Sequence, residues 1–200
     1  MRVSHALGQI AHIHEQLAKA EVYRGFHPQC VLLSGALGLV AAAIQPLLVG
    51  DEPLAFVRYW LMVAAVCGTA GVSATVHAYF VRDDEFARRR TWRVGVQFVP
   101  CVVAGLLVTV LLPRVSATAV NMLPGLWEIL FGLGVFAARP YLPRATGWVG
   151  LFYLICGALL LAAAPGELTR AGWAVGGVFG AGQFATAWVL HRNEERVADV

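Results

Sequence analysis

Six apolar stretches, each about 20 residues or longer, constrain this chain more than any other feature, because each can cross roughly 30 Å of hydrocarbon as a helix. They run approximately over 28–49, 54–81, 93–112, 117–138, 145–164 and 170–191. Turn-forming residues separate them: Gly50-Asp51-Glu52-Pro53, Pro113-Arg114, Arg139-Pro140 and Pro165-Gly166. Pro28 suits the first turn of a helix, where its missing N–H is no loss. Composition agrees with these runs. Only 14% of residues are charged, against about 25% for a soluble domain. The mean hydropathy is +0.67, so the chain lacks the charge to cover a water-facing surface. The expected fold class is an all-α integral membrane protein with six transmembrane helices.

The basic residues orient the spans. Arg2, Lys19, Arg24, Arg82, Arg88, Arg89, Arg90, Arg93, Arg139, Arg144, Arg192 and Arg196 fall on one side, and only Arg58, Arg114 and Arg170 on the other. Cytoplasmic loops carry the excess of Lys and Arg, so both termini are expected in the cytoplasm of a multi-pass cell-membrane protein. Membrane lipids are the ordinary partners of such residues, and nothing resembles a nucleic-acid module. The six tryptophans sort by depth. Trp60, Trp127 and Trp173 lie near outer starts of spans, while Trp92, Trp148 and Trp188 lie near inner ends, which predicts an aromatic belt.

Residues 1–27 differ from the rest. On a helical wheel Val3, Ala6, Leu7, Ile10, Ile13 and Leu17 share one face, opposite His5, His12, Gln16 and Lys19. This pattern predicts an amphipathic helix on the cytoplasmic interface, followed by the bundle over 28–191 and a short cytoplasmic tail over 192–200. The opening residues contain no apolar h-region, so no cleaved signal peptide is expected. His14-Glu15 begins the metalloprotease pattern H-E-x-x-H, but Ala18 stands where the second ligand is needed. The loop from Asp83 to Arg88 begins like the CDP-alcohol phosphotransferase signature. There Asp84 replaces the expected glycine and the later aspartates are missing, so that metal cage cannot be built.

Polar residues inside the apolar runs are the candidate site. Glu128 sits near the middle of the fourth span, where a carboxylate costs about 2.5–3.5 kcal/mol on insertion scales and should face the bundle interior. Gln183 and Gln97 are its candidate hydrogen-bonding partners, and Pro124-Gly125 one turn earlier is expected to loosen the helix. His27, His77 and His191 fall at one depth near the inner face, under His14 of the opening helix, a set that would bind a metal or a haem if the side chains meet. Four cysteines without C-x-x-C spacing read as reduced thiols within the spans. Gly172, Gly176 and Gly180 repeat G-x-x-x-G on the sixth span, which makes it either a central packing helix or a face for a second copy or a membrane partner.

Three functional classes fit these residues. The leading one is a small polytopic protein that binds or transports a small amphipathic molecule, with Glu128 as polar anchor supported by Gln183 and Gln97. The alternative is an accessory or scaffold subunit docking through the glycine ridge. The third is a membrane-embedded metal or haem enzyme using the inner histidines, for which no complete catalytic motif is present.

Overall fold

A computed structural model of the chain describes residues 28–50, 52–81, 85–164 and 170–198. The amphipathic helix expected over 1–27, with His14 and His27, lies outside the described residues. Most of the described residues are helical, as the apolar runs predict. We label the helices α1 (Pro28–Leu48), α2 (Pro53–Val81), α3 (Glu85–Val115), α4 (Leu123–Ala138), α5 (Thr146–Ala162) and α6 (Val178–Ala198). A 3-10 segment, Thr118–Met122, leads into α4, and a π-helical turn, Trp173–Gly177, leads into α6. Five segments are long and apolar enough to cross a membrane: Pro28–Leu48, Pro53–Ser73, Thr91–Val115, Thr118–Tyr141 and Trp173–Asn193. The 17 residues of α5 are apolar throughout and sit at the short end of spanning length.

Two helices extend well past their apolar runs. The third run opens at 93, yet α3 begins at Glu85; the sixth closes at 191, yet α6 continues to Ala198. Hydrophobicity marks the hydrocarbon slab, and a helix has no reason to stop where the slab does. Beyond it, polar pairs carry the last turns of α6: His191 Nε2 approaches Glu195 Oε1 at 3.4 Å, and the Arg192 guanidinium lies 4.3 Å over the Trp188 ring. Pro124 stands in the first turn of α4 rather than inside a helix. Pro124-Gly125 therefore starts a helix after a 3-10 turn, which corrects the expected mid-span loosening.

Close backbone approach at glycine builds two helix pairs. Antiparallel to α1 run the π turn and α6: a Cβ at Gly176 would press on the Gly38 carbonyl, one at Gly172 on the backbone of Ala42, and one at Gly180 on the Gly35 carbonyl. Antiparallel α4 and α5 meet at Gly125 and Gly157, where a Cβ on either would come within 2.7 Å of the other's carbonyl oxygen. Side chains clasp α2 to α1 near the outer ends expected from the charge pattern. Trp60 Nε1 donates to Gln45 Oε1 at 2.8 Å, Gln45 Nε2 donates to the Arg170 carbonyl at 2.7 Å, and the Tyr59 hydroxyl donates to the Ala41 carbonyl at 2.6 Å. Beyond that clasp α2 is loosely held, and α3 packs along α4 while much of its remaining surface stays open. In α3 Val99, Val102, Val103, Leu106, Leu107 and Val110 are each 48% to 55% exposed, so one broad apolar face of the helix lies open. Such a helix is solvated by lipid, not water.

Candidate functional site

Sparse contact between α2 and α3 leaves a cavity of about 490 Å³, walled by α1, α2, α3, α4 and the π turn with α6. Two of the polar residues singled out above belong to its wall. Glu128 of α4, 3% exposed, and Gln183 of α6, 8% exposed, both line it. Glu128 lies one turn from both Gly125 and Gly132, the positions at which α4 touches α5, and that contact accounts for its burial.

The hydroxyl groups of the lining are locally satisfied. Ser34 Oγ donates to the Val31 carbonyl at 2.8 Å. Thr109 Oγ1 donates to the Gly105 carbonyl at 2.6 Å and accepts from Trp127 Nε1 at 2.8 Å. Glu128 differs: its Oε2 is buried with no hydrogen-bond partner among the described residues. Most buried polar atoms are paired, so an orphaned carboxyl oxygen beside a cavity is informative.

Aromatic side chains form much of the wall. Phe131, one turn beyond Glu128, packs edge-on against Phe98 at 5.2 Å between ring centroids and against Phe179 at 5.5 Å. Behind them Tyr153 of α5 contacts Phe131 at 4.9 Å and donates its hydroxyl to the Phe179 carbonyl at 3.1 Å. On the other side Trp127 stacks on Phe56, with 6.2 Å between ring centroids and 9° between planes. Trp60 also lines the cavity and is 5% exposed. Trp60 and Trp127 therefore leave the predicted belt: their depth suits an interface, but their helices turn them inward, where their N–H groups find partners. Trp92, Trp148, Trp173 and Trp188 are 57% to 75% exposed, as belt residues require.

Other candidates are placed apart. Gln97 is exposed on α3 and outside the cavity lining, so it does not join Glu128. His77 and His191 are exposed, and His14 and His27 lie outside the described residues. Among the described residues no group of three or more His, Cys, Asp or Glu side chains is placed to hold a metal ion. The thiols of Cys30, Cys67 and Cys101 reach the cavity from three different helices, half-buried and free. Gly172, Gly176 and Gly180 are buried against α1, so that ridge is occupied within the chain.

Several lining residues carried little signal in one dimension. Phe98, Phe179, Thr109, Gly68 and Gly105 look like ordinary members of apolar runs. The spacing of Trp127, Glu128 and Phe131 on one helix was the available clue. No protein-family model, curated protein or solved structure matches the chain. Its helices are those of a polytopic membrane protein, with a cavity inside the bundle.

Proposed function

We propose that the protein binds a small amphipathic molecule in this cavity and passes it between the two faces of the cell membrane, with Glu128 as the polar anchor and Gln183 beside it. The unpaired carboxyl of Glu128 carries the reading: a buried polar side chain in a largely apolar, aromatic-rich wall is suited to one polar group of a ligand. The cavity also borders the outer surface of the bundle. Leu61, Val102 and Leu106 line it and are exposed, and a Cβ at Gly68 or Gly105 would meet nothing within 4 Å. A ligand dissolved in lipid reaches the carboxyl through this gap between α2 and α3 without first entering water.

The test is a ligand panel against the purified chain in mild detergent, read by thermal unfolding. Single-chain alcohols, amines and fatty acids of graded length are suitable probes. A ligand present at 100 times its Kd stabilises the folded state by about 2.7 kcal/mol. At least one probe is expected to raise the wild-type midpoint, with the shift strongly reduced in Glu128→Gln. Equal shifts in both proteins, or none in wild type, would sink the reading. The accessory-subunit alternative would need a docking face other than the glycine ridge. A metal or haem enzyme would need His14 or His27 to complete its ligand set.

A further inference from the structure

We propose that the molecule taken into this cavity is a hydrophobic cation, an amine or quaternary centre on an apolar body, and not an anion or a neutral amphipath. The inference rests on the reading of the cavity as a binding site and names the charge of its occupant.

Three observations carry it. First, the lining offers a carboxyl and no basic side chain. Among the described residues that wall the cavity none is Lys, Arg or His, and Glu128 is the one carboxyl. An anionic headgroup would meet that carboxyl with no cation to offset it, whereas a cationic one supplies what the wall lacks. Second, Glu128 has no internal counter-charge. No described basic side chain forms an ion pair with it, and Oε2 is buried without a hydrogen bond. A ligand that brings the missing positive charge gains a charge-assisted contact that a neutral ligand cannot offer. Third, the wall is aromatic on both flanks of the carboxyl: Trp60 and Trp127 on one side, Phe98, Phe131 and Phe179 on the other. Ring faces attract cations and repel anions, more strongly where water is excluded. The volume of about 490 Å³ lies within the range that holds a drug-sized body.

Carboxyl and aromatic wall select for the same charge, while the exposed apolar surround selects for a body that partitions into lipid. A hydrophobic cation satisfies both. Gln183 contributes an amide that can orient a polar substituent but confers no preference of sign.

A shape-matched pair isolates charge from size, tetraphenylphosphonium as cation and tetraphenylborate as its anionic counterpart, with triphenylphosphine oxide as a smaller neutral relative. Each is titrated calorimetrically into the full chain in neutral detergent. The expected result is saturable binding of tetraphenylphosphonium near one per chain, and no saturable binding of tetraphenylborate. In Glu128→Gln the affinity for the cation should fall about tenfold or more, the loss of one ionic attraction in a water-poor site. Gly105→Phe keeps the carboxyl and adds a ring where a Cβ has open space, so it should fold and still block the cation by filling the cavity. Equal binding of the borate or of the neutral oxide would overturn the charge assignment, as would unchanged cation binding in a folded Glu128→Gln protein. Neutral-oxide binding that Gly105→Phe abolishes would leave the cavity as a ligand site while removing the cation. Failure of this series and of the amphipath panel together would remove both readings.

Discussion

Glu128 brings into the bundle a carboxyl oxygen that nothing among the described residues satisfies. Removing such a group should stabilise the empty protein, since a buried unsatisfied polar atom costs about 1–3 kcal/mol. Glu128→Leu is therefore expected to raise the unfolding midpoint in detergent while ligand binding is lost; a lower midpoint would mean that the carboxyl has a structural partner. Gln45 presents the opposite case. Its amide both accepts from Trp60 and donates to the Arg170 carbonyl, so Gln45→Leu strands two partners and should destabilise by about 1–3 kcal/mol in the same assay. At this scale depth was legible and azimuth was not. A lone carboxylate in an apolar run announces itself, which is why Glu128 could be singled out. Gln97 and Gln183 look alike in the chain, yet helix rotation leaves one in lipid and the other in the cavity wall. The same rotation separates Trp60 and Trp127 from the four belt tryptophans.

Between elements, glycine has two opposite meanings here. At Gly176 it is a contact: a Cβ would strike the Gly38 carbonyl and crowd the Trp60 ring, so Gly176→Ala should cost about 1–3 kcal/mol through overpacking. At Gly68 it is an absence of contact, and Gly68→Ala should be neutral or gain up to about 1 kcal/mol from helix propensity. Comparing the two unfolding midpoints checks the assignment, and matching losses would contradict it. The G-x-x-x-G spacing of the sixth span was visible without coordinates. Its partner was not, because small-residue ridges record that some backbone comes close without recording whose. Helix limits were legible only to within the hydrocarbon slab, since the signal for crossing and the signal for helix are different physical quantities.

At the scale of the whole molecule, the asymmetry of arginine and lysine predicts that both ends face the cytoplasm. A fluorescent protein fused after Val200 should glow and an alkaline phosphatase fused there should stay inactive; the reverse pattern would invert the topology. The bundle also brings Cys30, Cys67 and Cys101 to one space from three helices, while Cys156 stays out of the cavity lining. A bound ligand should slow labelling of the first three by a membrane-permeant maleimide and leave Cys156 unaffected. Uniform protection would place the ligand elsewhere. The pairing of α1 with α6 has a consequence for biosynthesis. Gly35 and Gly38 reach the membrane while the ribosome has not yet made the helix that covers them, so the seam between the outermost spans closes only after the intervening ones are inserted. Until then quality-control machinery meets an unfinished helix, and a chain stopped before residue 170 presents that state permanently and should be degraded instead of accumulating.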